Sequence, residues 1–254
     1  MAGNYSGGVP TRLYNGVGTV QSTHPLGMFP LPNPQHVYVD QDDFTCYLAS
    51  DWVVTAGGAG SAVALTTGVG GQLLNTCATS GVESITGGLN VNITNATSAV
   101  NGLKTWFKAR IKLDATVANP DYQVGLTTAC TTFNGATSGV YFTKATAAVV
   151  WSFVIRTAST STTVALPAST VPTASQWLEL AWYFDGKGMF WIYMDGNLIG
   201  TYGTTNTATG NLGSDLANLP AATIFMGPTF LNAFHTGTSL LTVDSYLTAC
   251  EVVR

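Results

Sequence analysis

Charge is scarce in this chain. Only 9% of its 254 residues are charged, while 46% are hydrophobic; an average soluble domain carries roughly 25% charged residues. Nine basic and thirteen acidic residues leave a formal net charge of −4, so no global field draws the chain toward nucleic acid or an anionic membrane. Its polarity comes from Thr, Ser, Asn and Gly, a surface suited to packing against other proteins. Long apolar runs are missing as well. The longest candidate, "ATAAVVWSFVI", is bounded by Lys144 and Arg156 at strand length, well short of the roughly 20 residues of a membrane span. The opening "MAGNYSGGVPTRLYNGVG" lacks the apolar core of a secretory signal, and a soluble protein is expected. His24, His36 and His235 are scattered, and Cys46, Cys77, Cys130 and Cys250 show no metal-ligand spacing. No metal and no cofactor are therefore expected, and without an export signal the cysteines are expected to be reduced thiols.

The acids are too dispersed for catalysis. A glycosidase needs two carboxylates about 5 to 9.5 Å apart, which on a strand means i,i+2 spacing. Glu83, Glu179 and Glu251 have no such neighbour. Asp40, Asp42 and Asp43 sit at a strand start with no glutamate near, and read as a solvated turn. In "WIYMDGNLIG", Asp195 and Gly196 lie between two apolar runs, the pattern of a two-residue type I′ hairpin; Asp195 turns the chain. Asp185-Gly186 reads as another turn at the opposite end of the same strand. No nucleophile elbow, phosphate loop or His-Glu-x-x-His occurs. The glycine-rich "TAGGAGSAVALTTGVGG" lacks the lysine and following helix of a phosphate site, and reads as a loop and strand edge. No run of oxygen ligands resembles a calcium loop. A non-enzymatic protein is expected.

What the chain does have is strand. Residues 1–39 stand apart: Pro10, Pro25, Pro30, Pro32 and Pro34 are half of its ten prolines, and "HPLGMFPLPNP" can form neither helix nor central strand. This is an extended N-terminal arm presenting Leu26, Met28, Phe29 and Leu31, which either folds back over its own domain or docks on a neighbour. Residues 40–254 form one all-β domain. "VYVDQDDFTCYL", "LKTWFKARIKL", "YQVGLT", "GVYFTK", "AVVWSFVIR", "QWLELAWYF", "MFWIYM", "NLIGTY", "ATIFMGPTF" and "LLTVDSYLTACEVV" read as strands separated by Gly, Thr and Asn clusters. Many short strands without βαβ alternation predict a two-sheet antiparallel jelly-roll sandwich. "TTFNGATSG" and "GTTNTATGNLGSDLANLP" are expected to be long loops.

Two surface features carry the binding candidates. In "LKTWFKARIKL", Phe107, Ala109, Ile111 and Leu113 share one face, and Lys104, Trp106, Lys108, Arg110 and Lys112 share the other. That basic stripe is either a solvated face or protected edge, or a docking surface for an acidic partner. Trp177 and Tyr183 share one face of their strand, and Trp191 and Tyr193 one face of the next; if Leu178, Leu180, Trp182 and Phe184 fill the core, these aromatics lie on the other side. Such an aromatic sheet face stacks sugars, forms a subunit interface or is covered by the chain's own loops.

The succession "DDFTCYLASDWVVT", "LKTWFKARIKLDATVANPDYQVGLT", "GVYFTK", "WLELAWYFDGKGMFWIYMDG", "NLP" and "LTVDSYLTA" resembles the concanavalin-like, laminin-G-like jelly rolls of tailed-phage capsid decoration or cement proteins. The similarity spans about residues 37 to 254, and the arm matches only in character. The resemblance implies a non-catalytic virion protein made in the host cytoplasm and bound to the capsid exterior. Its partner would be the major capsid protein, and its favoured state a homotrimer, with no nucleic acid and no membrane. Capsid docking would then fall to the arm residues Leu26, Met28, Phe29 and Leu31 and to the basic stripe. Lectin ancestry makes a glycan a possible ligand of Trp177, Tyr183, Trp191 and Tyr193, although the carboxylate–asparagine calcium cluster of legume-type sugar sites has no match. The alternatives are a carbohydrate-binding module of a phage fibre or surface protein and, further off, a diverged glycanase. First and last strands often pair in such sandwiches, which would bring "DFTCYL" beside "LTACEVV".

Overall fold

Alternating apolar and polar side chains dictate strands, and the computed structural model describes them over residues 37–251, apart from 57–59, 67–70, 79–80, 89–90, 92, 94–101, 115–118, 172, 204, 207–210, 213–217, 222 and 235–236. Two antiparallel sheets pack face to face in a lectin-like jelly-roll sandwich. The eight-stranded sheet holds β1 (Val37–Asp42), β3 (Ala62–Thr66), β4 (Gln72–Cys77), β6 (Thr105–Leu113), β11 (Trp177–Phe184), β12 (Phe190–Met194), β13 (Asn197–Tyr202) and β17 (Ser239–Glu251). The seven-stranded sheet holds β2 (Val53–Ala56), β5 (Gly81–Thr86), β7 (Asp121–Thr127), β8 (Gly139–Lys144), β9 (Ser152–Thr157), β10 (Thr160–Ala165) and β16 (Gly227–Phe234). Two short strands, β14 (Thr205–Asn206) and β15 (Asn211–Leu212), pair with each other.

The larger sheet runs β13-β12-β11-β6-β17-β4-β3, and the smaller β10-β9-β8-β7-β16-β5-β2. β17 is the hub of the larger one. One side pairs with β6, while the other meets β4 in its first half and β1 in its second. A bulge between Val243 and Ser245 leaves Asp244 outside the ladder, where a bulged residue is re-aimed.

The core follows the period of two. Phe107, Ala109, Ile111 and Leu113 from β6 join Leu180, Trp182 and Phe184 from β11, with Leu178 packed at the margin. Tyr122, Val124 and Leu126 from β7, Val140 and Phe142 from β8, and Phe153 and Ile155 from β9 meet them from the other sheet. Trp182 lies edge-on to Phe190 at 5.6 Å, and Phe184 stacks on Phe190 at 4.6 Å, both within the range of favourable aromatic pairs.

Several boundaries differ from expectation. In "AVVWSFVIR" the strand begins only at Ser152; Val149 is exposed, and Ala148 closes a turn on Ala145. "ATIFMGPTF" is displaced toward the C-terminus: Phe225 is exposed and the strand is Gly227–Phe234. Pro228 is tolerated there because the ladder to β5 starts one residue later, at Thr229. The glycine-rich stretch supplies a true edge strand, β3.

Candidate functional site

The three basic residues of β6, and Lys104 just before it, do not protect an edge. β6 lies between β11 and β17, and its cations are met by acids from both neighbours. Lys108 Nζ pairs with Glu179 of β11 at 2.5 Å, Arg110 with the bulged Asp244 of β17 at 2.8 Å, and Lys104 with Glu251 of β17 at 3.2 Å. Arg110 and Lys112 also lie over the Trp177 ring, at 4.7 and 5.0 Å from its centroid, the placement of a cation–π contact. The stripe is thus held in place within its own sheet. Asp244 could have been suspected from "LTVDSYL", where it interrupts the alternation.

The aromatic residues assemble as expected on the outward face of this sheet, with Trp106 added. Trp191, Tyr183 and Trp106 are direct cross-strand partners on β12, β11 and β6. Their ring centroids are 5.3 and 5.1 Å apart. Trp177 and Trp191 are half-buried, whereas Trp106, Tyr193 and Tyr183 are only 0%, 1% and 7% exposed. Burial pushes the Tyr193 hydroxyl up to about 12. Of these rings only Trp177 and Trp191 reach the surface.

The outward face of the seven-stranded sheet is built differently. Ser84, Leu231, Gln123, Thr143 and Ser152 form one row across β5, β16, β7, β8 and β9. The loop from Thr128 to Ser138, expected as a loop, folds down onto it. The Gln123 side chain holds the loop at both ends of its amide: Nε2 donates to Cys130 Sγ at 3.5 Å, and Oε1 accepts the Asn134 backbone N–H at 3.0 Å. Cys130 and Ala136 pack with Leu231 and Ala233 in a small apolar cluster. Burial raises the Cys130 thiol above its ordinary range, which leaves it protonated and a poor nucleophile. Beside it the hydroxyls of Thr127, Thr229 and Thr86 form a buried chain at 2.8 and 3.2 Å. Neither the loop's position nor this chain has any sequence signature.

The carboxylates are structural. Asp195 and Gly196 have φ of 50° and 77°, as a type I′ turn requires, and Asp195 Oδ1 accepts the Glu179 N–H at 2.8 Å. Asp185 Oδ1 accepts the N–H groups of Lys187, Gly188 and Met189 within 3.0 Å, so the expected Asp185-Gly186 turn is a five-residue loop. Asp42 accepts the Phe44 N–H at 2.7 Å. Both oxygens of Asp40 lie 3.2 Å from the Tyr246 hydroxyl, and burial raises the Asp40 carboxyl despite that donor. Glu83 is buried between the sheets. Among the described residues no three His, Cys, Asp or Glu side chains group to hold a metal, and no helix is long and apolar enough to cross a membrane. All four cysteines are thiols, Cys46 exposed and the others buried. β1 and β17 do pair, but Cys250 faces Tyr38 there. Leu26, Met28, Phe29 and Leu31 lie outside the described residues.

These faces define an all-β sandwich of lectin type. No protein-family model matches the chain, nor does any curated protein. Solved structures do. A protein of unknown function from Shewanella oneidensis MR-1 is 12% identical, with 86% of this chain and 89% of that one covered and a TM-score of 0.54. Peanut lectin is 10% identical, with 86% and 99% covered and a TM-score of 0.53. The CBM2 module of the evolved Dit of Lactobacillus casei BL23 phage J-1 is 12% identical, with 86% and 98% covered and a TM-score of 0.52. At these identities the likeness is one of fold.

Proposed function

We propose that this chain is a non-catalytic, lectin-like binding module whose ligand is a carbohydrate. The observation that carries the non-catalytic half is the outward row of the seven-stranded sheet. Its middle holds Gln123, Leu231 and Ser84 rather than a pair of carboxylates, and the Thr128–Ser138 loop lies over it. Carbohydrate as ligand draws on the fold shared with peanut lectin and with a winged bean lectin complexed with methyl-α-D-galactose, 8% identical at a TM-score of 0.53. Within this chain the half-buried Trp177 and Trp191 are the rings that a sugar can reach. Screening the labelled protein on a glycan array, followed by calorimetry, tests this. Trp191→Ala or Trp177→Ala should weaken a detected glycan at least tenfold. Binding to no glycan at millimolar concentration would refute the reading, as would turnover abolished by a single Asp or Glu substitution.

A second reading puts the module on a phage head as a trimeric decoration protein bound to the major capsid protein. It is favoured by the succession of segments over residues 37–254 and by the sparse charge. Imaging particles with and without the protein decides it: loss of a surface density at threefold positions is expected, and unchanged particles would exclude it.

A further inference from the structure

Arg156 of β9 meets no carboxylate among the described residues. Between Tyr122 and Leu178 the chain has no Asp or Glu, so β8, β9, β10 and the Thr128–Ser138 loop have none to offer. The acid of β7, Asp121, lies at the other end of its strand from Thr127, about 20 Å away. Lys104, Lys108 and Arg110 of the opposite sheet each have an acid; this arginine sits in a basic region of its own.

Its surroundings are built. Arg156 belongs to the outward row Thr127, Gly139, Arg156 and Ser161 across β7 to β10. Gly139 is the bare position beside it, where a Cβ would lie 2.7 Å from Thr127 Cγ2 and 3.0 Å from Tyr141 Cδ1. The Tyr141 ring thus leans back along β8 toward Arg156. Burial pushes the Tyr141 hydroxyl up to about 12, although the Arg156 charge draws it down. Neither that hydroxyl nor Arg156 Nε has a hydrogen-bond partner among the described residues. The arginine as a whole is half-buried, so its stem side is enclosed while its forked end reaches the surface. The β9–β10 hairpin is tied to the covering loop beside it. Ala158 N–H donates to the Ser138 hydroxyl at 3.4 Å, and Ser159 N–H to the Thr137 carbonyl at 2.9 Å. Thr137, Ser159 and Ser161 stay exposed at the rim.

We propose that Arg156 anchors a second binding site, which takes the carboxylate or sulfate group of an acidic sugar. A guanidinium fork matches two oxygens of such a group with two parallel hydrogen bonds. A cation partly withdrawn from water gains more from a counter-charge than a fully solvated one. The rim hydroxyls donate and accept as the sugar's own hydroxyls require. That the anion is carried by a sugar rests on the carbohydrate reading above. The site itself lies on the other sheet from Trp177 and Trp191, so the two can fail separately.

The test follows the arginine Nε–H signals of the 15N-labelled full chain. There are four arginines, and Arg156→Lys identifies the signal of interest, whose enclosed Nε–H is shielded from exchange with water. Glucuronate and glucose 6-sulfate at millimolar concentration should shift it, the tighter of the two naming the anion, while glucose should leave it in place. By calorimetry, Arg156→Gln should weaken the acidic sugar about tenfold, the loss of one charge-assisted pair. No shift with either acidic sugar, an equal shift with glucose, or unchanged affinity in Arg156→Gln would each overturn the site. Equal affinity for acetate or inorganic sulfate would mean an adventitious ion only, and would overturn it as well. In all these cases a glycan whose binding is lost in Trp191→Ala would still uphold the binding module, whereas a protein that binds no glycan at all fails both readings.

Discussion

Asn232 joins the two sheets through hydrogen bonds that no apolar residue could make. Its Nδ2 donates to the carbonyls of Asn75 and Ser239, and its Oδ1 accepts the Ser239 hydroxyl at 2.6 Å. Asn75 in turn donates to the carbonyls of Glu83 and Phe230. Asn232→Leu would strand several buried groups, so a loss of about 2–3 kcal/mol is expected in urea unfolding. Asp40 makes a different prediction. Burial is the first cause of its raised carboxyl, with the neighbouring Asp42 adding to it. A folded pKa above the unfolded one contributes stability below the unfolded value and loses it as pH rises through the folded value. Asp40→Asn should therefore be more stable than the parent near neutrality and should flatten the pH dependence just above the ordinary carboxylate range; denaturation midpoints from pH 4 to 7 check this. Cysteines divide by burial: Cys250→Ala should cost about 1 kcal/mol in lost contacts, while Cys46→Ala should be silent. Four titratable thiols in denatured, non-reduced protein are expected.

Among the elements, β6 and β11 show how an ion pair depends on its surroundings. Lys108 and Glu179 have side chains 16% and 22% exposed, against 42% and 26% for Lys104 and Glu251. Glu179→Gln leaves a mostly buried ammonium without its counter-charge and should cost about 2 kcal/mol, whereas Lys104→Ala should cost less than about 0.5 kcal/mol. Equal losses from the two variants would show that the stripe is not organised by burial. Strands with strict alternation, such as β6, β11 and β12, were legible in the sequence because each position faces either core or surface. β2 to β5 were not: "AVALT" and "GVESIT" mix small and polar residues, and Asn75 and Glu83 occupy inward positions that alternation reserves for apolar ones. The Asp195 turn was legible from two residues. The covering loop of β7 and β8 was not, because Gln123 binds it through contacts that come from register rather than from local sequence. Register also fixes Gly125, where a Cβ would lie 2.4 Å from the Tyr141 Cα. Gly125→Ala should cost about 3 kcal/mol by forcing β7 and β8 apart.

For the whole molecule the decisive element is the last one. β17 completes the ladders of β6, β4 and β1, so the larger sheet cannot close until the final described strand is in place. Truncation before Ser239 should yield a chain without a cooperative transition, seen as a flat urea titration. The intact protein should refold on the slow scale of milliseconds to seconds that non-local β topologies share. The candidate site was legible only in part at this scale. Composition and the dispersed acids pointed away from catalysis, and the faces of β6, β11 and β12 were read correctly. That three outward rings are buried and that a loop lies over the other face cannot be read from any one strand.

Val37 pairs with Glu251, so the polypeptide enters and leaves the sandwich at one point, between antiparallel neighbours. A load applied through these two ends would open the β1–β17 ladder like a zip, one hydrogen bond at a time, instead of shearing six residue pairs together. Mechanically the sandwich is weakest along this axis. A tether holding it by both ends would yield there first, releasing β1 while the sheets behind it stay closed.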